Sequence, residues 1–155
     1  MRVLVLILLC WCASGAAAHD GSVTLAGDGA LIRYRGMLLA LDGAVAEPAG
    51  QAVDLRLSSG SLPLWQSITW RKGRQRVRIT ALPGPGALPA LLLDFGDNGY
   101  RIVIPGAGMA REDYPLLAQR YPGADLALPL ENGQRVILRG EQPQPSPYLF
   151  SRIKR

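Results

Sequence analysis

Residues 91–108 read LLLDFGDNGYRIVIPGAG. Ala90–Phe95 and Tyr100–Ile104 are apolar runs of strand length, with Gly96-Asp97-Asn98-Gly99 between them. Asn-Gly takes up the positive backbone angles of a tight hairpin turn at low cost, so the stretch predicts two antiparallel strands. Pro105–Met109 comes next as a Gly-rich turn. A hairpin enclosed by Pro and Gly points to a β-rich chain.

The segments on either side agree. Arg74–Leu82 alternates, with Arg74, Arg76 and Arg78 on one face and Val77 and Ile79 on the other, the period of a half-buried strand. Gly73 turns the chain into it from Ser67–Trp70, a short strand. Pro83-Gly84-Pro85-Gly86 is a rigid, non-helical loop. Further upstream, Val23–Leu25, Ala30–Arg35, Met37–Leu41 and Val53–Leu57 read as strands, divided by glycine turns and the loop Glu47–Gln51. Downstream, Arg111–Tyr121 is the one helix candidate. Glu112 and Asp113 suit its positive N-terminal end, and Pro122-Gly123 stops it. Asp125–Leu130 and Arg135–Leu138 are the last strands expected. The expected core is Leu25, Ile32, Leu39, Leu41, Leu57, Ile79, Leu92, Ile102, Ile104, Leu117, Leu126 and Leu128.

The first residues form a targeting segment. Arg2 supplies a positive charge, Val3–Cys12 is apolar, and Ala16 and Ala18 fit the A-x-A pattern before a cleavage site. The expectation is therefore a signal peptide over 1–18, one domain over 19–140, a Pro-rich basic tail over 141–155, and a periplasmic or secreted destination. Cleavage removes Cys10 and Cys12, leaving neither disulfide nor thiol nucleophile.

The whole chain has 155 residues, with 17 Lys+Arg, 12 Asp+Glu and one His, for a formal charge of +5. That length suits one domain. Hydrophobic residues at 48% against 19% charged exclude a disordered chain. One histidine and two cysteines exclude most zinc sites built from protein ligands, which need three or four.

In order, these pieces resemble the metallo-β-lactamase fold. Val23–Gly43 (VTLAGDGALIRYRGMLLALDG) resembles the family's opening strands ending in Asp, and Val53–Trp65 (VDLRLSSGSLPLW) the strand and loop of the metal motif T-H-x-H-x-D-H. Val77–Pro83 (VRITALP) resembles the strand leading to the third histidine, Leu91–Gly108 the hairpin ending in S/T-G-D, and Ala124–Leu130 (ADLALPL) the segment after that hairpin and its helix. The resemblance covers about residues 22–138 and implies an α+β fold: a reduced, mostly β sandwich of the αββα kind, with few helices. It also implies a zinc hydrolase, and there this chain departs. Ser59, Ser61, Pro63 and Leu64 stand at the metal-motif positions, Pro85-Gly86 where the third histidine falls, and Ala107 at the bridging aspartate. Asp42 matches a position that supports the ligands without being one. Zn²⁺ needs lone pairs these residues do not offer. The expectation is a metal-free pseudo-hydrolase acting as a binding or scaffold protein, with no cofactor. Alternatives are a hydrolase whose metal site is non-standard or completed by a partner, and a Cu(II) protein using the amino group and imidazole of His19 with an oxygen of Asp20.

A basic face is the other candidate. Arg71, Lys72, Arg74, Arg76 and Arg78, with Arg33 and Arg35 as further members and Trp70 beside them, suit an anionic surface or another exported protein rather than nucleic acid. The competing reading is a solvated outer sheet face, where charge discourages aggregation. Ser58, Ser59 and Ser61 lack an activating base and read as a turn.

Overall fold

The computed structural model of the chain describes residues 20–26, 29–43, 48–85, 88–96, 100–106, 108–129, 135–139 and 148–150. Within these, two sheets face each other. One contains β1 (Gly21–Ala26), β2 (Gly29–Tyr34), β3 (Met37–Leu41), β4 (Leu55–Leu57) and β11 (Tyr148–Phe150), in the order β11-β1-β2-β3-β4. The other contains β5 (Ser67–Lys72), β6 (Gln75–Leu82), β7 (Ala90–Asp94), β8 (Arg101–Ile104), β9 (Leu126–Ala127) and β10 (Val136–Ile137), in the order β10-β9-β8-β7-β6-β5. The pairings are antiparallel except β3 with β4 and β8 with β9. The chain is mostly β, as its alternation and turns predict.

Period-two patterning builds the core directly. Val77, Ile79 and Ala81 of β6 are buried on one face, level with Leu93 and Leu91 of β7, which in turn sit level with Ile102 and Ile104 of β8. They meet Val23, Ile32, Tyr34, Met37, Leu39, Leu41 and Leu57 from the first sheet. Burying each large aliphatic side chain contributes about 1.5–3 kcal/mol.

A second cluster lies on the outer face of the six-stranded sheet. Ala90, Val103 and Ala127 are covered there by Met109, Leu117, Tyr121 and Ala124. Leu92 and Leu82 pack against this cluster, so Leu92 belongs to the outer layer rather than the central core. Leu25 is only partly buried, at the edge of the central cluster.

Two expectations need correction. The helix expected over 111–121 is a 3-10 segment, Arg111–Leu116, followed by a single turn of α-helix, α1 (Leu117–Arg120). Its N-cap, Ala110, has no side chain able to accept from the first N–H groups, and Pro115, which has no N–H, stands past the first turn, where an α-helical ladder needs a donor. Within the stretch after Gly140, expected as an unpacked tail, the described residues Tyr148–Phe150 are a strand of the first sheet. Tyr148–Phe150 pairs with β1, Gly21 facing Phe150, and Phe150 is 2% exposed. The Phe150 ring stacks on Tyr100 at 4.6 Å and lies 5.9 Å from Phe95. A side chain at Gly21 would overlap the Phe150 ring, so glycine lets the strand in. The leader expected over 1–18 lies outside the described residues.

Candidate functional site

The turns that follow β4, β6 and β8 come together at one end of the sandwich, and Leu88 is where they meet. A methyl group on Gly60 would stand 3.2 Å from Leu88 Cδ2. One on Gly84 would stand 2.9 Å from the Leu88 carbonyl oxygen, and one on Gly106 would overlap that oxygen. Backbone therefore packs against backbone at this end, and two glycines make the approach possible.

Asp42, directly after β3, has φ at +38°, in the left-handed region that Asp tolerates better than most residues. Its carboxylate accepts from the Ser59 backbone N–H at 2.8 Å and from the Ser59 hydroxyl at 2.6 Å. This holds the turn after β4 to the end of β3. A cleft of about 220 Å³ opens alongside, lined by Ala40, Asp42, Gly43, Arg56, Leu57 and Ser58. Ser61 closes a turn onto the Ser58 carbonyl, and Pro63 and Leu64 are exposed. Ala107 lies outside the described residues.

Zinc does not fit here. Ser59 is committed to Asp42, Pro63 and Leu64 carry no donor side chain, and Leu88 occupies the junction. Among the described residues, no three of His, Cys, Asp and Glu come together in a group that could hold a metal. His19 lies outside the described residues. Asp20, its suggested oxygen donor, is engaged by Arg35, whose Nε donates to Oδ1 at 2.8 Å. The same contact raises the Arg35 pKa.

The basic residues divide between faces. Arg76 and Arg78 are exposed on the outer face of β6, and Arg71 is level with Arg76 across the β5–β6 ladder. Arg74 forms the hairpin turn with Gly73, whose φ of +59° suits the first position of a type II′ turn. Lys72 does not join them. It shares the face of Trp70 and Ile68, and its Nζ donates to Asp54 Oδ2 at 2.9 Å and to the Gly36 carbonyl at 2.8 Å. Arg33 is on β2 of the other sheet and Arg35 in the turn that follows it, bonded to Gln51 and Asp20 respectively. Asp94 faces Arg78 across the β6–β7 ladder, but its carboxylate is shared with Arg101 at 3.0 Å and with the Gly96 N–H. Like charges placed directly opposite, as Arg71 and Arg76 are, cost stability, roughly 0.2–1 kcal/mol.

The two most exposed large apolar side chains among the described residues, Trp65 and Leu64, stand just before β5. Every residue of β5 is exposed, including Ile68 at 37% and Trp70 at 38% on its inner face. Trp65, just before it, is 71% exposed with φ at +65°. The Gln66 N–H donates to the Pro63 carbonyl, while Ala81 accepts from the Trp65 N–H and donates to the Gln66 carbonyl. This is a turn running into a β-bulge whose first position glycine ordinarily takes. The cue Pro63-Leu64-Trp65 was visible in the sequence, but nothing in it marked a tryptophan in a glycine conformation.

No family model, no curated protein and no solved structure matches this chain.

Proposed function

We propose that this chain is an exported, metal-free binding protein. In this reading it is a degenerate relative of the metallo-β-lactamase hydrolases that has lost their metal site, and the β5–β6 hairpin is its binding element. The observation that carries the reading is the junction at Leu88, where the turns that resemble the family's ligand loops meet around a leucine, two glycines and an Asp42–Ser59 hydrogen bond. None of these activates water. The exposed groups with binding chemistry lie instead on the hairpin, as arginines on its outer face and tryptophans on and before β5.

The test has two arms. Elemental analysis of the purified protein, made without a metal-binding tag, is expected to find no stoichiometric zinc, and esters and β-lactams are expected to survive it. Stoichiometric zinc or turnover would refute the metal-free reading. Retention on heparin or anionic vesicles is expected to fall with salt and to be lost when Arg71, Arg76 and Arg78 are replaced together by alanine. Unchanged retention in that variant would remove the hairpin face as the site.

A further inference from the structure

The four sheet edges among the described residues are unequal. β4, β11 and β10 are strands of three, three and two residues. β5 has six, contains no proline, and pairs only through β6. Short edges are one way proteins avoid unwanted strand pairing. β5 keeps the length needed to template another strand.

Its hydrogen-bonding phase is set by two bonds. Gln66 and Ala81 are linked through the Ala81 N–H, and antiparallel pairs alternate between bonded and unbonded from there. The pairs Ile68 with Ile79, Trp70 with Val77 and Lys72 with Gln75 are then the bonded ones. The backbone groups of Ser67, Thr69 and Arg71 turn the other way, to the open edge. The side chains alternate as well. Thr69 and Arg71 lie on the outer face with Arg76 and Arg78, while Ile68 and Trp70 lie on the inner face, still more than a third exposed.

We infer that β5 is a docking edge for an extended acidic segment of another protein, which adds to the six-stranded sheet as a seventh strand. Acidic residues at alternate positions would face Arg71, Arg76 and Arg78, and the apolar residues between them would cover Ile68 and Trp70. Charge complementarity selects this occupant over a second copy of the chain, because joining two β5 strands edge to edge brings both sets of arginines onto one continuous face. The inference rests on reading the chain as a binding protein and adds the chemistry and geometry of its partner.

The probe is a labelled ten-residue peptide of alternating Glu and Val, followed by fluorescence anisotropy against the full chain. Two versions carry N-methyl groups on alternate backbone amides, one version for each parity. One parity is expected to lose roughly tenfold or more in affinity, as removal of one or two hydrogen bonds requires, and the other to bind nearly as before. Thr69→Pro removes an edge-facing N–H without touching the β5–β6 ladder and is expected to weaken binding by a similar factor. The methylated peptides keep the test decisive if that variant folds poorly. Equal binding of both parities overturns strand addition, while salt-sensitive retention on heparin would leave the basic-face reading in place. Heparin or vesicle binding without peptide binding overturns the choice of partner. Binding to none of these probes removes the parent reading too. A dimer of the chain alone that Thr69→Pro dissolves assigns the edge to a second copy instead.

Discussion

Lys72 Nζ lies 2.9 Å from Asp54 Oδ2, and this contact ties the tip of the β5–β6 hairpin to the opposite sheet. Asp54 serves both sides, since Oδ2 also accepts from the backbone N–H of buried Leu38 at 2.8 Å. The two halves of the clip are worth different amounts. Lys72→Ala removes one exposed ion pair, typically 0–1 kcal/mol, about the range of such pairs on protein surfaces. Asp54→Ala also strips the acceptor from the Leu38 N–H and is expected to cost about 1–3 kcal/mol. Urea unfolding orders the two. Faster amide exchange at the hairpin tip should accompany both.

The clip also sets a pH response. Hydrogen bonding from Lys72 lowers the Asp54 pKa from its usual value. A carboxylate with a depressed folded-state pKa stabilises the fold above its unfolded value, and that contribution is lost as pH falls through the folded one. Stability is therefore expected to decline below about pH 4. The decline should be smaller in Asp54→Asn, as thermal melts across an acid series would show.

Trp65 holds a backbone angle that glycine occupies without strain. The side chain is mostly exposed, so little burial is lost on removing it. Trp65→Gly is expected to raise stability by about 1 kcal/mol, while Trp65→Val, with a β-branched side chain in the same region, lowers it. A loss of stability in Trp65→Gly would mean the indole contributes more through contact than its exposure implies.

Gly106 is expected to be intolerant of change. Any Cβ there meets the Leu88 carbonyl oxygen, which is backbone and has little room to retreat. Gly106→Ala should destabilise by about 1–3 kcal/mol or more. Gly84→Ala, where the clash with the same oxygen is milder, should cost less. Denaturation midpoints of the two variants decide the order.

Phe150 provides a test of the returning strand. Phe150→Ala empties a site bounded by Tyr100, Phe95 and Tyr34, and should cost about 3–5 kcal/mol. A chain ending at Gly140 should lose as much or more. Equal melting temperatures for the truncated and full chains would refute the packing of β11.

Local pattern carried much of the fold. Arg76 to Leu82 alternates because one face is wet and the other dry, and Gly73 marks its turn. What escaped depends on distance or on a missing signal. Asp54 meets Lys72 across eighteen residues, and Phe150 meets Gly21 from the far end of the chain, behind three prolines that suggest an unpacked tail. Asp125, fully buried and accepting from the Arg101 N–H at 2.8 Å, reads in sequence only as the polar start of a strand. Of the basic candidates, alternation separated Arg76 and Arg78 from Val77. The strand expected over Ser67–Trp70 stops short of Arg71 and Lys72, so the alternation that sets those two on opposite faces does not extend to them in that reading. Leu88, central to the junction, is in sequence an ordinary leucine between an alanine and a proline.

The tryptophans give β5 an optical signature. The sequence holds three, at positions 11, 65 and 70. If the expected leader is removed, the remaining two stand just before and within one strand, both in contact with water. Ultraviolet emission from the processed chain would then arise at this single edge, shifting to the blue when something covers it and staying where it is when binding happens elsewhere.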